Sequence, residues 1–249
     1  MKGSVDWEAV RKADLQTVFE SIRCGGLANI KANIIKDLLD DVYQMNCAHL
    51  KKLQREKAIV AEDLSNSDYE QDIIIIGAKI AKLEENFLSM DYLYELDTEA
   101  AMNEMMKLPG IGVKTSACVT LFCMKRPCFA VDTHVTRFCK WLDWVPANAT
   151  ANKVFMHLEV HIPDNLKYSL HQLFLKHGRT CIRCKGNAPM KSEAWEKAVC
   201  PLEKFLDRNR TAQNGKVPET FPEAKAKFTV AKKRKRNVDS DEADDGYDG

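Results

Sequence analysis

Apolar residues recur three and four positions apart along most of this chain, the spacing that lines up one face of an α-helix, and strict alternation with β-branched residues is scarce. Few glycines or prolines interrupt the pattern in the first 107 residues. The periodicity predicts helices at Trp7 to Arg23, Leu27 to Met45, Tyr69 to Phe87, Thr98 to Lys107, Val113 to Met124, Thr133 to Leu142, Ala151 to His161, Asn165 to His177 and Ser192 to Asn209, so the fold class is all-α. Two stretches depart from this pattern. Between Cys47 and Asp72 the segment HLKKLQREKAIVAEDLSNSDYE is highly charged and thin in apolar positions, which predicts an exposed insertion over about residues 48–71. After Arg210 the chain turns polar and proline-bearing, then basic, then acidic. That progression predicts one helical domain over residues 1–210 and a disordered tail over 211–249.

Composition sharpens this picture. The chain has 249 residues, 45% hydrophobic and 29% charged, enough apolar content to bury a core. No run approaches the length of a membrane span, and the start MKGSVDWEAVRK lacks the apolar centre of a secretory signal, so the expectation is an intracellular protein with no membrane partner. Nine cysteines are an odd number, and Cys24, Cys47, Cys118, Cys123 and Cys139 fall within helix-like apolar patterns, which argues against a disulfide framework. The net charge of +1 is split: residues 231–249 carry five basic and six acidic side chains, a net of −1, leaving +2 for residues 1–230. A nucleic-acid partner would therefore be gripped by a local patch or by backbone donors. The pentad Lys232 to Arg236, KKRKR, predicts a nuclear localisation signal; a solvated charge run and weak electrostatic help in DNA binding are the other uses of such a segment.

The most informative stretch is KLPGIGVKTSACVTLFCMK, residues 107–125, in which a short PGIG turn joins two helical patterns as in a helix-hairpin-helix. Gly110 and Gly112 permit a tight turn and leave the backbone open to close approach. The amide groups of the turn and of the following first helical turn lack intrahelical partners, so Leu108, Pro109, Gly110, Ile111, Gly112 and Val113 form a candidate phosphate grip without sequence preference. The same turn would also serve as an ordinary connection between two helices. Lys114 falls in the first turn of the second helix, where the positive end of the helix dipole works against a charged ammonium. An amine nucleophile needs that environment, although an exposed surface lysine is the commonest fate of this residue type.

A second motif, FAVDTHVTRFCKWLDW, runs from Phe129 to Trp144. An apolar strip leads to Asp132, and Thr133 opens another helical pattern, so Asp132 stands where a helix cap is expected. Capping and catalysis are compatible, since donors at a helix start keep a carboxylate fixed and ionised. His134 and Arg137, one turn apart just beyond it, are candidates for contact with a nucleic-acid backbone or for local pairing.

Taken together, LPGIGVKTSACV and FAVDTHVTRFCKWLDWVP, with Lys114 and Asp132 eighteen positions apart, resemble the endonuclease III branch of the helix-hairpin-helix, Gly/Pro-rich, aspartate (HhH-GPD) superfamily. The likeness extends through GGLANIKANIIKDLL (Gly25 to Leu39) and LKYSLHQLFLKHGRTC (Leu166 to Cys181) and covers about two thirds of the chain. The resemblance implies a two-lobed helical DNA glycosylase fold, here without the family's usual N-terminal helix segment. It also implies a monomer that acts on double-stranded DNA carrying a damaged base or an abasic site. The damaged base, oxidised in the family's usual case, would be flipped into a pocket; Lys114 would attack the sugar and form a Schiff base, and Asp132 would assist. The lysine favours combined glycosylase and apurinic/apyrimidinic lyase activity. An inactive or truncated DNA-binding module is the alternative.

The family's iron–sulfur branch ends in four cysteines spaced six, two and five apart. Here Cys181, Cys184 and Cys200 follow with spacings of two and fifteen, one thiolate short, and His177 is the nearest further donor. Three thiolates could bind a cluster or zinc with a fourth ligand from elsewhere; the expectation is a chain without a cofactor, a 4Fe-4S cluster being the alternative.

Overall fold

The computed structural model describes residues 5–62, 69–188 and 190–208. The tail over 211–249 and its basic pentad lie outside the described residues. Among those residues the chain is all helix and loop, with no strand. The helices are α1 (Trp7–Lys12), α2 (Leu15–Ile22), α3 (Ala28–Glu62), α4 (Tyr69–Glu85), α5 (Thr98–Met106), α6 (Val113–Cys118), α7 (Thr133–Trp141), α8 (Ala151–His161), α9 (Asp164–Thr180) and α10 (Glu193–Lys197). In one grouping α3 packs against α1, α2 and α4; in the other, α5 to α9 surround the main hydrophobic core.

Capping residues explain where several boundaries fall. The single helix expected from Trp7 to Arg23 is broken into α1 and α2 by Asp14, whose carboxylate accepts the Thr17 amide at 2.9 Å and the Thr17 hydroxyl at 2.7 Å. By contrast, α3 does not stop near Met45. It runs 35 residues, through the first part of the stretch read as an exposed insertion, and residues 69–71 already belong to α4. No glycine or proline lies between Ala28 and Glu62, and good helix formers dominate, so local propensity carries the helix on although Asn46 and Leu53 are the two buried residues beyond Met45. The helix expected from Ser192 to Asn209 is short, ending at Lys197, and Pro201 blocks its continuation.

Three connections position the groups of interest. Gly110, in the turn between α5 and α6, has a left-handed backbone with φ of 71°. A Cβ there would lie 2.4 Å from the Ile34 side chain of α3, so glycine lets the hairpin seat on the other helical grouping. Beyond α6 the chain makes one π-helical turn over Val119–Cys123 and then passes into the strip Phe129-Ala130-Val131, which is buried throughout. Side chains satisfy the strip's backbone: the Phe129 amide donates to Glu159 at 2.6 Å, and the ring of His171 donates from Nδ1 to the Ala130 carbonyl at 2.7 Å. Lys167, itself buried, holds Glu159 at 2.7 Å and Asp164 at 2.8 Å. Helices α8 and α9 thus fix the strip that delivers Asp132.

Candidate active site and metal-ligand cluster

Asp132 caps α7, accepting the Val135 amide on Oδ1 at 2.7 Å. Its second role as a capping residue therefore holds in the structure, and one carboxylate oxygen is committed to it. Lys114 stands exposed in the first turn of α6, directly after the hairpin. Gly112 caps that helix without a side chain, and the first intrahelical bond runs from the Ser116 amide to the Gly112 carbonyl at 3.0 Å. The amides of Val113, Lys114 and Thr115 therefore have no partner inside α6.

Cys118, one turn beyond Lys114, senses both groups. Burial raises its thiol pKa, the Lys114 charge lowers it and the Asp132 charge raises it. Lys114 and Asp132 thus act on one region from the starts of α6 and α7, eighteen residues apart in sequence. His134 and Arg137 follow on α7. The imidazole pKa of His134 is lowered by burial and then by the Arg137 charge. The Arg137 guanidinium reaches His134 Nδ1 at 3.0 Å and donates to the carbonyls of Cys184 at 2.9 Å and Gly178 at 3.4 Å, turning toward the C-terminal cysteines. At Gly178 an added Cβ would meet the His134 ring at 2.4 Å, so α9 can approach α7 this closely only with glycine there.

The expectation of a chain without a cofactor needs correction. His177, Cys181, Cys184 and Cys200 come together with all four ligand atoms within 4.8 Å of one another. The donor that sequence spacing left short by one is thus the imidazole of His177. Its pKa is lowered by burial and then by the Arg208 charge, which favours the neutral form that a metal ligand requires. Cys184 and Cys200 touch, sulfur to sulfur, at 3.5 Å, and Cys200 lies 3.4 Å from His177 Nε2. Endonuclease III homologues usually carry a 4Fe-4S cluster. In such a cluster each thiolate binds a different iron, and the body of the cube stands between the sulfurs. Sulfurs in contact do not fit that group.

Sequence reasoning missed the supports of the site: Ile34 beneath the hairpin, and Glu159, Lys167 and His171 behind the strip. Lys167 and His171 lie one turn apart on α9, a helix whose polar residues otherwise read as a solvated face. Nothing local marks them as buried.

Comparison with known proteins points in one direction. Residues 1–164 match the profile of the HhH-GPD superfamily base excision DNA repair protein. The chain is 33% identical over 202 residues to a protein of Arabidopsis thaliana provisionally named a DNA glycosylase, a match that takes in 81% of this chain and 56% of that protein. It is 22% identical to the endonuclease III of Sulfolobus acidocaldarius over 82% of this chain and 70% of the relative. Among solved structures, a non-covalent endonuclease III–DNA complex shares the fold with a TM-score of 0.51 at 22% identity, covering 83% of this chain and 70% of that one. The chain thus spans little more than half the length of the Arabidopsis relative.

Proposed function

The chain belongs to the HhH-GPD superfamily of base excision DNA repair proteins, and from that premise we propose that it is a DNA glycosylase with apurinic/apyrimidinic lyase activity, acting on oxidised bases in duplex DNA. The observation that carries this reading is the placement of Lys114 in the first turn of α6, directly after the hairpin and among amides without a partner inside that helix, with Asp132 capping the start of α7.

The hairpin from Leu108 to Val113 would grip a phosphate through the amides of Gly110, Gly112 and Val113, since those of Leu108 and Ile111 already donate to the carbonyls of Met105 and Leu108 and Pro109 has none. His134 would add a backbone contact near the lesion, while Arg137 positions α7 against the C-terminal cysteines. A flipped base leaves its sugar carbon open to attack. The neutral amine of Lys114 would form a bond to that carbon as the glycosidic bond breaks, with the departing base taking the bonding electron pair. The carboxylate of Asp132 would stabilise the cationic sugar and accept the proton released by the attacking amine. Ring opening gives a Schiff base, and loss of the adjacent proton expels the 3′ phosphate by β-elimination, cutting the strand. The basic pentad Lys232 to Arg236 supports action in the nucleus.

Borohydride trapping tests this directly. The protein is incubated with a duplex containing one abasic site, reduced, and resolved for a covalent protein–DNA adduct. The wild type is expected to trap, and Lys114→Ala to lose the adduct by at least about a hundredfold. Retention of the adduct in Lys114→Ala would remove that residue from its role. Wild-type protein that binds the duplex without trapping would favour a lyase-free glycosylase or an inactive binding module.

A further inference from the structure

The cysteine cluster has a geometry of its own. Cys181 and Cys184 form a C-x-x-C pair at the end of α9, where Cys181 is the cap and the amides of Cys184 and Lys185 both donate to its carbonyl, at 3.0 and 2.9 Å. His177 comes from the last turn of the same helix, its ring set 5.6 Å from that of Phe138 on α7. Cys200 returns from a separate segment after α10. The cluster therefore joins two stretches of chain in which, among the described residues from 181 to 208, only Cys184 and Cys200 are buried, with Cys181, Leu202 and Leu206 half-buried against the core.

A single metal ion makes a quantitative demand on such a set. With metal–sulfur bonds of about 2.3 Å and metal–nitrogen bonds of about 2.0 Å, tetrahedral angles put neighbouring ligand atoms about 3.5 to 3.8 Å apart. The Cys184–Cys200 sulfur separation is 3.5 Å, the Cys200–His177 separation is 3.4 Å, and no pair exceeds 4.8 Å. Four protein donors also complete a tetrahedral shell, leaving no position open for substrate or water.

We propose that His177, Cys181, Cys184 and Cys200 bind one zinc ion as a structural tie, in place of an iron–sulfur cluster. Three thiolates and an imidazole are a donor set that suits zinc. Arg208, whose guanidinium lies 3.4 Å from the Cys184 sulfur, supports the ligand from outside. The tie fastens the end of α9 to the segment after Cys200, which docks on α7 where the Asp207 amide donates to the Trp141 carbonyl at 2.9 Å. It thereby braces the helix that begins at Asp132.

The test is metal content of the full chain, produced in parallel from cells supplied with iron and a sulfide source and from cells supplied with zinc. The expected result in both is a colourless protein with about one zinc per chain and no acid-labile sulfide. Iron and labile sulfide together, about four of each per chain, with a brown chromophore, would overturn the proposal. A chain that holds no metal from either growth would overturn it as well. Cobalt loaded in place of zinc should show the intense visible bands of a tetrahedral thiolate site; octahedral, weakly coloured cobalt would count against the geometry. Cys200→Ser should lose the zinc and Cys47→Ser should keep it. Should Cys200→Ser fail to fold, the wild-type stoichiometry and the cobalt spectrum still decide. None of these readouts uses DNA, so their failure is distinct from failure of the repair reading.

Discussion

The region from Asp97 to Val145 and the region from Cys181 to Arg208 both place functional groups with care, and they do so by different means. In the first, Met102, Ala117, Phe129, Val135 and Phe138 are fully or almost fully buried, and the hairpin, Lys114 and Asp132 ride on that packed core. In the second, the buried residues among those described are Cys184 and Cys200, with Cys181, Leu202 and Leu206 half-buried against the core, and polar groups supply much of the rest: Arg183 to the carbonyls of Trp195 and Glu196, and Arg208 to Glu203. Burying apolar surface stabilises a region whatever is bound to it. A segment organised by sulfur and imidazole depends on what those ligands hold. The catalytic candidates thus ride on a packed apolar core, to which the ligand-tied segment adds a brace at the far end of α7.

The sharpest way to break this comparison is to cut the core beneath Asp132. Phe129 is completely buried three residues before it. Phe129→Ala deletes most of that side chain and leaves a cavity, so urea denaturation should show a loss of about 3–5 kcal/mol. Trapping of an abasic duplex should fall with it, because the strip that aims Asp132 relaxes. A loss below about 1 kcal/mol would mean that the packed core does not hold this region.

What could be read in the sequence follows the same division. The hairpin, Lys114 and Asp132 are legible because each is a local statement: a glycine turn, a first-turn lysine, a cap eighteen residues on. The all-α class is legible because one period runs through the chain. The length of α3 was hidden since the charged stretch lacks an apolar stripe, while propensity and the absence of breakers extended the helix without one. The break at Asp14 was available in principle, as an aspartate three residues before a threonine is a capping signal within an otherwise continuous period. The donors of the cluster are all legible, Cys181, Cys184, Cys200 and His177, but their convergence is not, because Cys200 reaches the others only through the fold and the sequence predicts a helix across it far longer than α10.

A second, smaller effect concerns the ion pair behind the strip. Lys167 is buried against Glu159 and Asp164. Burial alone would lower its pKa; the bonds to Asp164 and Glu159 outweigh it, so the net shift is upward from 10.5. A raised lysine contributes stability that is complete below its unfolded value and is lost as pH rises through the folded one. The wild type should therefore hold its stability up to about pH 10.5 and lose it above. Lys167→Met leaves Glu159 without its cation in a largely buried setting, and should cost about 3 kcal/mol at neutral pH while removing that alkaline step. An unchanged alkaline profile in the variant would assign the step to another group.

The smallest expected effect is the counterpart in the other region. Glu203 pairs with Arg208 at 2.7 Å and with Arg183 at 3.1 Å, two cations to the one carboxylate, and Arg208 foremost holds its pKa below the ordinary carboxylate value. By geometry alone this looks stronger than the Lys167 pair. Yet the Glu203 side chain is 39% exposed against 12% for Glu159, so water screens the attraction and solvates the carboxylate when a partner is lost. Glu203→Gln keeps the shape, removes the charge, and should cost at most about 1 kcal/mol in the same urea assay. Near equality with Lys167→Met would show that this exposed pair holds the C-terminal segment as firmly as the buried pair holds the strip behind Asp132. A near-zero loss would leave the cysteine and histidine ligands as what chiefly anchors it.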